Sequence, residues 1–274
     1  MSELLSPAVY IVGAGPGDPE LLTLKAHRIL SQADVVLYAD SLIPKQVLEA
    51  VKPDAEVIQT ANKTLEEILP ILIDRVRSRH QSVVRLQSGD PSLYSAVHEQ
   101  IQALSEAEIP FEVIPGISTF QLAAAKLQVE LTVPELVQTI ILTRISGRTK
   151  MPATEELESL AAHQASLCLY LSARHVEAAQ AKLLAHYPAE THVAICFRLG
   201  WPDEQLWVVP LDQMAEVTRT QRLERTTMYL ISPALNPGGG KGMRSRLYHP
   251  DHAHLFRPDL SRLNSGKQKR PDLF

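Results

Sequence analysis

The stretch VGAGPGDPELLT, residues 12–23, places three glycines within five positions at the end of an apolar run. Residues 8–13 predict a buried strand, and Pro19 after Asp18 predicts a helix that begins near Glu20. Open α/β sheets bind their ligands at turns of this kind, at the carboxyl ends of strands. The stretch is therefore either a ligand-binding turn or a tight turn that binds nothing.

The spacing of the glycines argues against a dinucleotide. A dinucleotide fingerprint has glycine at its first, third and sixth positions, with the pyrophosphate on the helix N-terminus. Here Gly13, Gly15 and Gly17 occupy the first, third and fifth positions, and the sixth is Asp18. As a helix N-cap, this carboxylate would take the place of a phosphate. A positively charged ligand without phosphate, such as S-adenosylmethionine, suits the turn better.

The composition is that of an ordinary globular protein, with 45% hydrophobic and 21% charged residues among 274. A formal net charge of -4 gives no overall basic field to attract nucleic acid. The longest apolar runs are too short to span a membrane, and a secretory leader is not expected. Cys168 and Cys196 each lie in an apolar run, which favours core packing in a reducing cytoplasm over a disulfide, and no metal site is expected.

Apolar runs alternate with segments of helical period, which predicts an α/β protein. Strands are expected at 8–13, 34–39, 82–87 and 111–115, then at 137–143, 166–171, 192–197, 205–210 and 226–232. Helices are expected at 20–31, 64–79, 92–105, 118–126, 154–162 and 174–186, with Thr64 and Glu67 as a capping box. The domain boundaries follow as 1–116, 117–235 and an extension at 236–274 that is rich in glycine, proline and charge.

Three further motifs stand where strands should end. In QSGDPSLYSA (87–96), Gly89 allows a close approach of the backbone and Asp90 is able to accept from an amine or a hydroxyl. VIPGISTF (113–120) and LYADSLIP (37–44) also follow strands. The alternative in each case is a capped turn without a ligand, since Asp-Pro-Ser is good helix N-terminal chemistry by itself.

In their order and spacing, VGAGPGDPELLT, SGDPSLYSA and VIPGIST resemble the tetrapyrrole methylase family of S-adenosylmethionine-dependent methyltransferases. The resemblance covers residues 8 to about 235. It implies two α/β domains with mixed sheets and a cleft between them, a tetrapyrrole substrate, S-adenosylmethionine as cofactor and a homodimer. YADSLIP, LTRISGRT and the tail SRLYHPDHAHLFR are most similar to the branch that methylates C11 of precorrin-4 or cobalt-precorrin-4 in cobalamin biosynthesis.

The resemblance also implies which residues contact the cofactor. Carried over position by position, they are Pro16, Gly89, Asp90, Leu93, Ser118, Thr119, Leu171 and Thr227. The family has an aromatic-Met-Gly turn where this chain has Tyr170-Leu171-Ser172, so the local contacts there differ.

Asp40 is the first candidate for a catalytic base, because it follows the second strand beside the cofactor loops. A ring carbon that gains a methyl group must be electron-rich or lose a proton, and a nearby carboxylate could accept that proton. The alternative is that Asp40 only caps the turn before Ser41 and Leu42.

Arginines at strand ends are candidates for binding the acetate and propionate groups of a tetrapyrrole, since a guanidinium binds carboxylates through two parallel hydrogen bonds. The candidates are Arg144, Arg148, Arg174 and Arg198. The alternative is that some are solvated or paired with nearby acids. Arg85 differs from these four because it lies inside an apolar strand, so it must pair with an acid or reach the cleft.

Other functions stay open at this point. A dinucleotide oxidoreductase is disfavoured by Asp18 and by the missing sixth glycine. A methylase of another tetrapyrrole position, or a protein that binds its ligand without chemistry, would share the same motifs.

Overall fold

A computed structural model describes residues 4–147, 149–236, 245, 249, 252–254 and 256–257. The α/β class is confirmed, and within these residues ten strands form two sheets of five. The strands are β1 (Val9–Gly13), β2 (Val35–Tyr38), β3 (Glu56–Gln59), β4 (Val83–Gln87), β5 (Phe111–Ile114), β6 (Ile140–Arg144), β7 (Ser166–Tyr170), β8 (His192–Phe197), β9 (Gln205–Pro210) and β10 (Thr227–Ile231).

In the described part of the chain, seven α-helices flank these sheets. They are α1 (Leu24–Leu30), α2 (Leu65–Arg77), α3 (Val97–Glu106), α4 (Thr119–Leu127), α5 (Leu157–Ala161), α6 (Val176–Leu184) and α7 (Met214–Thr220). Short 3-10 helices add Pro19–Leu21, Lys45–Ala50, Ala153–Glu155, Ala173–His175, Leu211–Gln213 and Pro233–Leu235. The capping box at the start of α2 is present, with the Thr64 N–H donating to Glu67 at 2.7 Å.

The two sheets differ in strand direction. The first has the order β3-β2-β4-β1-β5, and all its pairings are parallel. The second has the order β6-β7-β10-β8-β9, with one parallel pairing and three antiparallel ones. The boundary expected at residue 116 falls between β5 and α4, and we propose it as the division between two domains.

Alternating side chains bury both faces of the first sheet. One face packs Ile11, Leu37 and Val83 against α2 and α3, and the other packs Val12 and Val36 against α1. Both faces of the second sheet are likewise buried in apolar clusters. Because both faces are covered, only the strand ends of the first sheet are left for loops that bind ligands.

Several expected elements are placed differently. The helix expected at 20–31 is a 3-10 turn followed by α1, because Thr23 caps a new helix by accepting from Ala26 N at 3.1 Å. Leu24 is 91% exposed at the first position of α1. The helix expected from residue 92 begins only at Val97, since Tyr94 and Ala96 have positive φ. The edge strand β3 was not expected.

Three strand-end turns of the first sheet touch through glycine backbone. A β-carbon on Gly13 would lie 2.6 Å from the Gly116 Cα and 2.8 Å from the Gly89 carbonyl oxygen. Gly15 and Gly89 form an antiparallel bridge, with N–O distances of 3.2 and 2.8 Å and φ values of 68° and 66°. A side chain at Gly13 or Gly116 would push the turns apart, whereas at Gly15 and Gly89 the positive φ is what disfavours a side chain.

The contact predicts a stability effect. We expect Gly116→Ala to lower the free energy of unfolding by about 1–3 kcal/mol, because the new methyl would meet backbone atoms of Gly13 and Gly89 that cannot rotate away. Urea denaturation followed by circular dichroism measures this. Gly147→Ala is the matched control, since its nearest neighbour would be His175 Nε2 at an ordinary 3.5 Å. Equal stability of the two variants would show that the turns are not tightly packed.

Candidate functional site

The Asp90 carboxylate ties two of the glycine turns together. It accepts from Gly116 N at 2.8 Å and Ser92 N at 2.8 Å, and it also accepts from the Ser92 hydroxyl. Burial by itself raises the pKa of Asp90, but these hydrogen bonds outweigh it and lower the pKa below its usual value. The carboxylate is therefore ionised at neutral pH, and its lone pairs leave room for one further donor.

The turn that opened the sequence does not present a phosphate site. Asp18 accepts from Glu20 N at 2.9 Å and caps the short 3-10 helix Pro19–Leu21. The first α-helix starts only at Leu24, three residues after the end of the 3-10 helix, and Thr23 caps its N-terminus. Since a pyrophosphate needs free N–H groups at a helix start, the residues here do not fit a dinucleotide.

The same turn packs on the second half of the chain. A β-carbon on Gly17 would lie 2.8 Å from Trp201 Cδ1, and one on Gly200 would lie 2.9 Å from Asp18 N. Gln46 bridges the two segments, with its Nε2 donating to the carbonyls of Gly17 and Gly200, each at 2.8 Å. Pro16 is buried beside this contact. Nothing in the sequence around Gln46 indicates that its side chain bridges two distant turns.

The junction around α4 brings further predicted cofactor residues near one another. Ser118 is buried at the N-cap of α4, and its hydroxyl lies 3.0 Å from the Tyr170 hydroxyl. Tyr170 in turn lies against Tyr94, with ring centroids 5.5 Å apart. Burial raises the pKa of Tyr170, which keeps its hydroxyl protonated. The turn after Gly89 therefore meets the end of β7 through the rings of Tyr94 and Tyr170, a contact that nothing in the local sequence indicates.

The remaining predicted cofactor residues have these positions. Leu93 is half-buried and donates its N–H to Asp90 O at 3.1 Å, while Thr119 is the first residue of α4. Leu171 follows β7, is 68% exposed and has a φ of 53°. Thr227 is buried at the start of β10, and its hydroxyl donates to Arg225 O at 3.1 Å. A non-glycine residue with positive φ is strained, and such residues concentrate at ligand sites.

The predicted substrate arginines differ in their partners. Arg198 pairs with Asp203 at 2.6 Å and lies over the Trp201 ring, 4.9 Å from its centroid. Arg174 lies 3.6 Å from Glu224, with both side chains exposed. Within the described residues, Arg144 donates to the main-chain carbonyls of Ile145 and Thr149 and has no acidic partner. Arg148 lies outside the described residues. Local acids thus already hold two of the four.

Asp40 and Arg85 lie near the same sheet edge. Asp40 is exposed after β2 and accepts from Ala61 N at 3.2 Å. This contact holds the turn after β3 and not the turn at Ser41 and Leu42 that the sequence suggested, and the Asp40 side chain stays exposed. Arg85 is 8% exposed within β4, and within the described part of the chain it has no acidic partner. Its Nη1 donates to Thr60 Oγ1 at 3.0 Å.

Two kinds of feature are absent from the described residues. Among them, no group of three or more histidine, cysteine, aspartate or glutamate side chains is arranged to hold a metal ion. Within the same residues, none of the helices has the length and apolar character needed to cross a membrane. Cys168 and Cys196 are buried and carry free thiols.

Comparison with known proteins agrees with this architecture. The family Tetrapyrrole (Corrin/Porphyrin) Methylases matches residues 8–215. A Pseudomonas aeruginosa relative, a precorrin-4 C(11)-methyltransferase, is 42% identical over 250 residues, covering 91% of this chain and 98% of its own.

Two solved structures share the fold. The X-ray structure of a cobalt precorrin-4 methyltransferase, CbiF, superposes with a TM-score of 0.80 at 39% identity, covering 84% of this chain and 97% of its own. A Thermus thermophilus uroporphyrin-III C-methyl transferase, solved in complex with S-adenosylhomocysteine, has a TM-score of 0.69 at 28% identity over 83% of this chain and 98% of its own. This chain belongs to the tetrapyrrole (corrin/porphyrin) methylases.

Proposed function

We propose that this protein is an S-adenosylmethionine-dependent C-methyltransferase of cobalamin biosynthesis that methylates C11 of precorrin-4 or cobalt-precorrin-4. The 42% identity to a precorrin-4 C(11)-methyltransferase over 91% of the chain carries this proposal. The likeness to CbiF in fold and sequence supports it and includes the cobalt-containing substrate. The first sheet supplies the matching geometry, since three glycine turns and Asp40 lie at its ligand-binding edge.

The residues at the glycine turns fit S-adenosylmethionine better than a nucleotide with phosphates. When bound, this cofactor supplies an electrophilic methyl group on a sulfonium. Asp90 is ionised and close to the bare backbone of Gly89 and Gly116, so it suits an ammonium or hydroxyl donor. We propose that Pro16, Leu93, Ser118, Thr119, Leu171 and Thr227 complete this cofactor site.

Asp90 gives the test of the cofactor site. We expect S-adenosylhomocysteine to raise the melting temperature of the protein and NAD to leave it unchanged. We expect Asp90→Ala to weaken the affinity for S-adenosylhomocysteine by about tenfold or more, because a charge-assisted hydrogen bond is lost. Titration calorimetry measures the affinity. Asp74→Ala, which removes an exposed carboxylate near the end of α2, is the control. Unchanged affinity in Asp90→Ala would remove this residue from the site, and stabilisation by NAD alone would overturn the cofactor assignment.

The chemical step asks little of the protein beyond orientation and proton removal. The protein must hold the ring carbon in line with the methyl group and exclude water, and such orientation can lower a barrier by roughly 7–11 kcal/mol. Asp40 is the base that we propose for the proton, because its carboxylate is exposed at the strand edge with one main-chain donor, Ala61 N. Arg144, Arg148, Arg174 and Arg198 are proposed to bind the substrate carboxylates, and Arg174 and Arg198 would exchange their present acidic partners to do so.

Methyl transfer itself is the decisive measurement. Purified protein, incubated without oxygen with precorrin-4 and ¹³C-methyl S-adenosylmethionine, should give a product that has gained one methyl group by mass and carries the label on C11 by NMR. Cobalt-precorrin-4 and uroporphyrinogen-III are run in parallel. Label on another carbon, or transfer only to uroporphyrinogen-III, would replace the proposed substrate. Binding without any transfer would make the protein a carrier instead of an enzyme.

An Asp40→Asn variant in the same assay separates catalysis from turn capping. The amide oxygen can still accept from Ala61 N, so the turn is kept while the base is lost. We expect the rate of transfer to fall by about 10²–10⁴-fold with little change in S-adenosylhomocysteine affinity. A rate close to that of the unmodified protein would leave Asp40 as a turn cap only.

The family resemblance further suggests a homodimer in the cytoplasm. The free thiols of Cys168 and Cys196 favour a reducing compartment. We expect light scattering after size-exclusion chromatography to give twice the chain mass of 30.4 kDa. A mass of one chain would contradict the dimer.

A further inference from the structure

Arg85 is a charged residue in the middle of a buried parallel strand. It is the third residue of β4, opposite Ile11 of β1 and Leu37 of β2. Because paired residues share a face, its side chain leaves the sheet on the face that packs against α2 and α3. Only 8% of the residue is exposed. A cation in such surroundings is costly unless an anion or several acceptors compensate it.

The described residues provide little compensation for this charge. The Nη1 atom donates to Thr60 Oγ1 at 3.0 Å, and the buried Nε has no hydrogen-bond partner. Among these residues no carboxylate lies within ion-pair distance of Arg85, whereas Arg75, Arg174 and Arg198 each have one. Burial lowers the pKa of Arg85 to about 10, so the guanidinium is still charged at neutral pH.

The Thr60 contact shows where the guanidinium lies. Thr60 directly follows β3, and its N–H donates to Tyr38 O at the end of β2 at 2.9 Å. The next N–H, that of Ala61, donates to Asp40. Thr60 and Ala61 therefore connect Arg85 and Asp40 through adjacent residues. Arg85 reaches the carboxyl edge of the sheet, where parallel α/β sheets bind ligands.

We propose that Arg85 binds a carboxylate group of the tetrapyrrole substrate at this edge, beside Asp40. The proposal rests on the proposed function, because that substrate carries acetate and propionate groups. A guanidinium offers five donors in a planar fork, and Thr60 uses one of them here. A substrate carboxylate would supply the missing countercharge, and by holding one side chain of the ring it would fix which carbon faces Asp40.

If Arg85 binds the substrate, two results are expected that would not be expected of an arginine with a purely structural role. Arg85→Met, of similar length but uncharged, should raise the KM for precorrin-4 by about 10- to 100-fold, the factor expected for losing a hydrogen bond between charged groups. The same variant should melt at the same temperature as the unmodified protein or higher, because an uncompensated buried charge is removed. Arg85→Lys keeps the charge without the fork and should give an intermediate KM.

The experiment measures KM, S-adenosylhomocysteine affinity and melting temperature for each variant. Arg28→Met, which removes an exposed arginine of α1, is the matched control and should leave all three unchanged. An unchanged KM in Arg85→Met would overturn the proposal. A variant that melts at a lower temperature, with both the S-adenosylhomocysteine affinity and the KM impaired, would also overturn the proposal, because that result is expected for a structural residue.

A binding measurement keeps this test independent of the proposed reaction. Uroporphyrin III, a stable tetrapyrrole with carboxylates on its rim, is titrated against the protein by fluorescence quenching. Arg85→Met should bind it about 10- to 100-fold more weakly than the unmodified protein and the Arg28→Met control. If no methyl transfer to precorrin-4 is found but this difference is present, the proposed reaction fails and the carboxylate site stands. Equal binding by all three proteins would overturn the site.

Discussion

The close approach of three strand-end turns, at Gly13, Gly89 and Gly116, is the constraint on which the rest of the site depends. A β-carbon on Gly13 would lie 2.6 Å from Gly116 Cα, so these backbones meet where ordinary residues cannot fit. The Gly15–Gly89 bridge and the Asp90–Gly116 hydrogen bond then fix the turns against one another. At this edge of the sheet the turns therefore expose mainly backbone atoms, and the ionised carboxylate of Asp90 holds two of them together.

A second contact couples this edge to the other half of the chain. Gly17 and Gly200 approach closely, and Gln46 donates to both of their carbonyls. Arg198 lies over Trp201 in the same region and pairs with Asp203. The turn that resembles a dinucleotide fingerprint therefore packs against the Gly200 turn of the second half of the chain. Its acidic residue, Asp18, is engaged in capping its own short helix.

The sequence predicted the alternation of strands and helices well, because most strands here are buried apolar runs bounded by polar, glycine or proline residues. It missed β3, whose four residues, Glu56–Gln59, form a largely exposed edge strand with no apolar periodicity. It placed the start of α3 too early, since Asp90-Pro91-Ser92 has the composition of a helix start. The structure uses Asp90 to hold a neighbouring turn, a long-range role that local sequence patterns do not report.

By itself the sequence determined the α/β class, the family resemblance and the unsuitability of the first turn for phosphate, because these depend on local spacing and side-chain type. Only the tertiary structure decided which charges are compensated. Arg85, Arg174 and Arg198 carry the same side chain, yet Arg174 and Arg198 have acidic partners. Arg85 is buried, and its guanidinium donates to the Thr60 hydroxyl. The Arg174–Glu224 pair and the Arg85–Thr60 contact join segments far apart in the chain, and the distances between those segments exist only once the sheets have formed.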